Sequence, residues 1–223
     1  EGKWKLVAKG ARGAWELYDI EADRTELNNL AGKMPERLKA MASRWEAWAV
    51  EAHAKPWPWG GAKKNVKFNK KKVFALKQDD RLDRTRAPMV HKKGFSITAT
   101  VTAKGHDGVI IAQGGVTHGW ALYLKDDRLN FATRHAGKLT NLSAKTNFPN
   151  NDAHVSVTFA TDGAVLIKVN GQKIIEDKTP GTMVEMPLDG LEVGVDLNGA
   201  VGSYPADVAF KGAIRDVTLK LQN

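Results

Sequence analysis

Between residues 62 and 93 stand Lys63, Lys64, Lys67, Lys70, Lys71, Lys72, Lys77, Arg81, Arg84, Arg86, Lys92 and Lys93 against only Asp79, Asp80 and Asp83, a surplus that equals the whole chain's net charge of +9. The chemistry open to such a strip is attraction of a polyanion, weakened as salt screens exposed charges. The same residues suit a solvated linker and an edge strand, where lysine discourages sheet-to-sheet pairing. Trp120, Tyr123 and Tyr204 are the only Trp or Tyr residues after residue 61. Aromatic rings can lie over sugar faces, but Trp120 occupies an alternating strand position that also suits a core. Aromatics are thus scarce and cations plentiful. A sulfated or otherwise acidic polysaccharide is the expected ligand class, with Lys70, Lys71, Lys72, Trp120, Tyr123 and Tyr204 as contact candidates. His53, His91, His106, His118, His135 and His154 show no ligand spacing. The absence of cysteine excludes disulfides, thiolate metal sites and a cysteine nucleophile within these residues.

The elements that must position these residues fall into two parts. Residues 1–61 read as a hairpin plus a helix. Trp4–Ala8 and Trp15–Asp19 flank a glycine-containing loop, and Asp23, Thr25, Asn28 and Asn29 follow with side-chain oxygens able to brace a turn. Pro35 suits the first helical position, and Leu38, Met41, Trp45, Trp48, Ala49 and Ala52 fall at helical spacing. Lys55-Pro56-Trp57-Pro58-Trp59-Gly60-Gly61 ends this part, because two prolines stop a helix and two glycines let the chain turn. Two strands and a helix make a marginal unit, so their apolar faces call for a sheet contributed from elsewhere. From Phe95 the pattern changes to period two: Phe95, Ile97, Ala99 and Val101 alternate with Ser96, Thr98, Thr100 and Thr102. Further strands are expected at 109–112, 120–124, 129–132, 155–161, 165–169, 173–176, 191–195 and 212–221, with turns at Asp126-Asp127, Asp162-Gly163 and Asn170-Gly171. The fold class is therefore mainly β, with residues 62–223 forming a sandwich. A chain of 223 residues that is 42% hydrophobic can bury such a core, and no apolar run approaches the length of a membrane span.

Two family resemblances rest on these residues. Trp4-Lys5-Leu6-Val7, Glu16-Leu17-Tyr18-Asp19, then Asp23, Glu26, Asn28, Leu30 and the Pro35 helix resemble the C-terminal region of the arylsulfatase family. Phe95-Ser96-Ile97, Gly119-Trp120-Ala121-Leu122-Tyr123-Leu124, His154-Val155-Ser156-Val157-Thr158-Phe159, Val169-Asn170-Gly171-Gln172, Leu191-Glu192-Val193-Gly194 and Phe210-Lys211-Gly212-Ala213-Ile214-Arg215-Asp216-Val217 resemble the laminin-G-like, concanavalin-type jelly roll. Together they imply the end of a sulfatase C-terminal subdomain followed by a jelly-roll accessory domain. The implied partners are an upstream sulfatase catalytic domain and sulfated polysaccharide, and the implied location is periplasmic or extracellular. The chain, opening at Glu1 with its first strand almost at once, reads as a fragment of a longer protein.

The resemblances also imply chemistry that these residues must be tested against. A parent sulfatase would need calcium and a formylglycine made from Cys or Ser in a Cys/Ser-x-Pro-x-Arg context. The nearest match here, Ser203-Tyr204-Pro205-Ala206-Asp207, puts an acid where the motif needs arginine, so this chain alone is not expected to hydrolyse sulfate esters. Jelly-roll glucanases carry a Glu-x-Asp-x-x-Glu strand, which is absent; Glu16 to Glu21 has the wrong spacing. Laminin-G-like domains often hold calcium through clustered oxygens, for which Asp196 and Asp216 are the candidate ligands. A specific nucleic-acid partner is not expected, for want of a groove-reading helix or a stacking-aromatic motif. The competing reading is a structural module that packs on the catalytic domain or on a second copy of itself.

Overall fold

The computed structural model describes residues 1–10, 13–52, 54 and 67–222. The Lys55–Gly61 boundary, His53, Lys63, Lys64 and part of the Lys9–Gly13 loop lie outside the described residues. The chain divides into two compact units, Glu1–Asn65 and Val66–Asn223.

In the first unit, β1 (Trp4–Ala8) pairs antiparallel with β2 (Trp15–Asp19), Trp4 opposite Asp19 and Ala8 opposite Trp15. The loop after β2 is braced by side chains, as its Asp and Asn content predicts: Asp19 Oδ1 accepts the Glu21 and Ala22 N–H groups, Asp23 Oδ2 accepts Asn28 N–H at 2.7 Å, and Asn29 Oδ1 accepts the N–H groups of Leu17 and Ala31. Helix α1 (Pro35–Glu51) starts on Pro35 and sets Trp45 edge-on to Trp15, centroids 5.2 Å apart. Leu17, Tyr18, Met41 and Ala49 are the buried apolar residues of this unit among those described, whereas Leu27, Trp48 and Val50 are more than half exposed.

The second unit is a two-sheet β-sandwich. Its strands are β3 (Val73–Leu76), β4 (Arg81–Leu82), β5 (Phe95–Thr102), β6 (Gly108–Gly114), β7 (Gly119–Lys125), β8 (Arg128–His135), β9 (Lys138–Ser143), β10 (Ala153–Phe159), β11 (Ala164–Val169), β12 (Gln172–Lys178), β13 (Leu191–Val193) and β14 (Ala213–Leu221). One antiparallel sheet has the order β12-β11-β10-β5-β14-β3 and the other β4-β13-β6-β7-β8-β9. Phe95 packs on Trp120 at 4.6 Å and Phe159 on Phe131 at 5.5 Å, in each case across the two sheets. β5 alternates buried and half-buried, as its period-two pattern predicts. The turns Asp126-Asp127 and Asn170-Gly171 have positive φ at both residues and span Lys125–Arg128 and Val169–Gln172, the geometry of two-residue hairpin loops.

The cationic strip enters both sheets at their edges. Lys70–Lys72 lead into β3, which lies at the edge beside β14, and Arg81 begins β4, at the edge beside β13. Three strands go unseen by hydrophobic period: β3 and β4 because they are short, and β9 because it is polar and follows an Ala136-Gly137 loop rather than an Asn-Gly or Asp-Gly one. β7 departs from simple alternation, because both its faces are covered. Trp120, Leu122 and Leu124 face the other sheet, whereas Ala121 and Tyr123 join Val109, Ala112, Ala132, Val201 and Tyr204 in a second small core on the outer face.

One row inside the sandwich is polar. Gln113, Trp120 and Thr133 face one another across β6, β7 and β8, and all three residues are fully buried. Gln113 Nε2 donates to the Pro88 carbonyl at 2.8 Å, while Gln113 Oε1, Trp120 Nε1 and Thr133 Oγ1 lack a partner among the described residues. An unmade buried hydrogen bond costs about 1–3 kcal/mol, so Thr133→Val, which replaces the hydroxyl with a methyl of similar size, is expected to raise stability by about 1 kcal/mol. The measurement is the midpoint of urea unfolding, and a lower midpoint for the variant would refute this.

Candidate functional site

The outer face of β7, β8 and β9 carries a ladder of polar side chains because strand alternation repeats across three registered strands. Lys125 faces Arg128 across the turn; the next outward row is Tyr123, Asn130 and Ser143; the row after it is Ala121, Ala132 and Asn141. The two alanines are too small to fill the third row, and Val201 and Tyr204, from the segment between β13 and β14, pack over it. Arg134 fastens that segment down, with Nε donating to the Val201 carbonyl at 2.7 Å. The uncovered part of the face is a groove of about 400 Å³, reached also by Asn147 and by Ser203 of the covering segment.

Hydrogen bonds hold the floor of this groove in place. The Tyr123 hydroxyl donates to Asn141 Oδ1 at 2.8 Å and accepts the Ser203 N–H at 3.4 Å. Asn141 Nδ2 donates to Asn130 Oδ1 and to Ser143 Oγ, both at 3.1 Å, and Ser143 Oγ donates to Asn130 Oδ1. Asn130 Nδ2 closes the chain on the Arg128 carbonyl at 2.7 Å. Such a network orients amide and hydroxyl groups before any ligand arrives, which lowers the ordering cost of binding. At its rim the Lys125 ammonium and the Arg128 guanidinium take part in no ion pair or hydrogen bond among the described residues. Asp107 stabilises the turn between them by accepting the Asp126 and Asp127 N–H groups at 2.8 and 3.3 Å. The groove therefore offers fixed hydrogen-bonding groups beside two available cations. Asp126 is the one carboxylate lining it, so the paired carboxyls of glycoside hydrolysis are not assembled there.

The sequence candidates divide sharply. Trp120 is not a ligand-facing ring: it is 0% exposed and sits in the sandwich core. Tyr123 is also fully buried, and its hydroxyl, bonded to Asn141 and to Ser203, braces the floor of the groove; burial raises its pKa above the usual tyrosine value. Tyr204 is buried over the small outer core and its hydroxyl donates to Asp196 Oδ2 at 2.6 Å. Lys70, Lys71 and Lys72 are exposed on the approach to β3. Asp196 and Asp216 do not meet in a calcium cage. Asp196 lies buried after β13, its Oδ2 taken by Tyr204 and by Val201 N–H, whereas Asp216 sits in a bulge of β14 in the other sheet and accepts from Thr100. Among the described residues no group of three or more His, Cys, Asp or Glu side chains is placed to hold a metal ion. Lys125, Arg128, Asn130, Asn141 and Ser143 were not foreseen; the available signal was polar residues at outward positions of strands whose inward positions are apolar.

Burial pushes the Asp196 carboxyl above the usual carboxylate value, opposed by its bonds from Tyr204 and Val201. Below the unfolded value of about 3.9 the carboxyl is protonated in both states; as pH rises through the interval up to the folded value, ionisation favours the unfolded chain. Wild-type stability should therefore fall relative to Asp196→Asn across that interval. Urea midpoints of both proteins from pH 4 to 7 check this, and a difference that does not change with pH would count against it.

No family model matches the chain, and no curated protein matches its sequence. Solved structures similar to it include a botulinum neurotoxin type C structure, described by the dependence of that toxin's cell entry on interaction with two ganglioside molecules, at TM-score 0.40 and 16% identity over 57% of this chain and 32% of that one. Domains LG4-5 of the mouse laminin α1 chain are similar at TM-score 0.43 and 12% identity, covering 72% of this chain and 45% of that one. The native heptameric SAP-like pentraxin of Limulus polyphemus is similar at TM-score 0.41 and 12% identity, covering 71% and 76%. The chain thus spans about a third of the toxin chain and under half of the laminin one.

Proposed function

We propose that residues 66–223 form a non-catalytic carbohydrate-binding module whose ligand is an anionic, sulfated glycan bound in the groove on the outer face of β7, β8 and β9. The observation that carries this reading is the pairing of Lys125 and Arg128, both without an ion pair among the described residues, with the exposed Asn141 and Ser143, which the buried Tyr123 hydroxyl and Asn130 hold in place. Amide and hydroxyl groups match sugar hydroxyls, and the two cations match sulfate or carboxylate oxygens. No aromatic ring lines the groove as an exposed stacking platform, which disfavours a neutral glycan. The test is retention on immobilised dextran sulfate, with unmodified dextran and a plain sulfonate resin as controls. Retention on the sulfated polymer that outlasts elution from the sulfonate resin as salt rises supports the module; equal elution from both leaves only ion exchange, and the competing structural, self-associating reading would then stand.

The first unit extends the proposal. Its hairpin and Pro35 helix, with Leu27, Trp48 and Val50 more than half exposed, are read as the closing piece of a sulfatase C-terminal subdomain, which would place the module beside a sulfatase catalytic domain in a periplasmic or extracellular setting. Reading the coding sequence upstream of Glu1 tests this: a Cys/Ser-x-Pro-x-Arg motif with metal-binding carboxylates supports it, and an upstream region lacking that motif rejects it.

A further inference from the structure

The groove does not end at Lys125. A second recess, of about 490 Å³, begins on the other side of that residue and shares both Lys125 and Ser203 with the first. Its character differs. Tyr204, Pro205 and Val208 line it, and Val208 is 45% exposed, whereas the first lobe is lined by amides, hydroxyls, two cations and the Asp126 carboxylate. The one carboxylate in the second recess, Asp107, accepts the N–H groups of the Asp126-Asp127 turn on its two oxygens and so holds the hairpin that carries Lys125 and Arg128.

We propose that the two recesses form one composite site for an acidic oligosaccharide of at least two rings, with an acidic group over Lys125 at the join. This rests on the glycan reading above and adds ligand length and polarity to it. A sugar ring has a polar rim of hydroxyls and a less polar C–H face. The ring in the first lobe meets the exposed Asn141 and Ser143 through its hydroxyls, and the next lays its C–H face on Pro205 and Val208. Ser203 tethers the two lobes, because its N–H donates to the Tyr123 hydroxyl that orders the first.

The experiment is a calorimetric titration of the whole chain with glucosamine 6-sulfate and with a heparin-derived tetrasaccharide, for wild type and for Val208→Asp. Val208 is exposed, and thermal melting of the variant verifies its fold. The tetrasaccharide should bind at least tenfold more tightly than the monosaccharide to wild type, and Val208→Asp should remove most of that gain while lowering monosaccharide affinity by a much smaller factor. If the tetrasaccharide gains nothing, or Val208→Asp leaves the gain intact while monosaccharide binding persists, the second lobe is not part of the site and the groove reading survives. If neither sugar binds, both inferences fall together.

Discussion

Trp120→Ala is expected to lower the stability of the sandwich by about 3–5 kcal/mol, the usual cost of truncating a large buried aromatic. The indole is 0% exposed, stacks obliquely on Phe95 at 4.6 Å, and is ringed by core residues from both sheets. Its removal leaves a void between the sheets that close packing cannot fill without strain. Domains of this size are stable by about 5–15 kcal/mol, so the loss is a large fraction of the total. Urea unfolding should show a much lower midpoint, while the fraction still folded in buffer keeps its retention on dextran sulfate. A variant of near wild-type stability that no longer binds the polymer would return Trp120 to the ligand surface and overturn the core assignment.

Lys125→Ala combined with Arg128→Ala is expected to weaken binding of the sulfated polymer on the order of 100-fold. A hydrogen bond to a charged partner contributes about 1.5–3 kcal/mol, which is roughly tenfold or more in affinity for each cation removed. Both side chains are exposed at a hairpin turn, so stability should shift by no more than about 0.5 kcal/mol. The comparison variant replaces Lys70, Lys71 and Lys72 together. It removes more charge than the double variant, yet those lysines lie on the approach to β3 and not in the groove. It should lower the eluting salt only modestly. If the triple variant abolishes retention and the double variant leaves it intact, the strip at the sheet edge is the binding surface and the groove is not.

Much of the scaffold could be read from local chemistry. Pro35 and the apolar spacing from Leu38 to Ala49 determine a helix, the Asp and Asn residues from Asp19 to Asn29 determine a braced loop, and the period-two run from Phe95 to Thr102 determines a strand. The Asn170-Gly171 and Asp126-Asp127 turns follow from residues that tolerate positive φ. These features depend on neighbours within a few positions, which is why periodicity and turn preference suffice for them. The net cationic surplus is equally a property of the chain alone.

Tertiary structure alone decided which polar and aromatic side chains reach solvent together. Alternation along β7 distinguishes Trp120 from Tyr123 by face, but it cannot reveal that residues near 200 return to cover the outer face, leaving Tyr123 as buried there as Trp120 is between the sheets. Asn130, Asn141 and Ser143 are unremarked positions on two strands until β8 and β9 pair in the register that sets them beside the Tyr123 hydroxyl. Asp196 and Asp216, twenty positions apart in the chain, are separated because Asp196 follows β13, which pairs in one sheet, whereas Asp216 lies within β14, which pairs in the other. The physical reason is the same in each case: burial and hydrogen bonding depend on segments distant in sequence, and strand register, which local composition specifies only weakly, determines which of them meet.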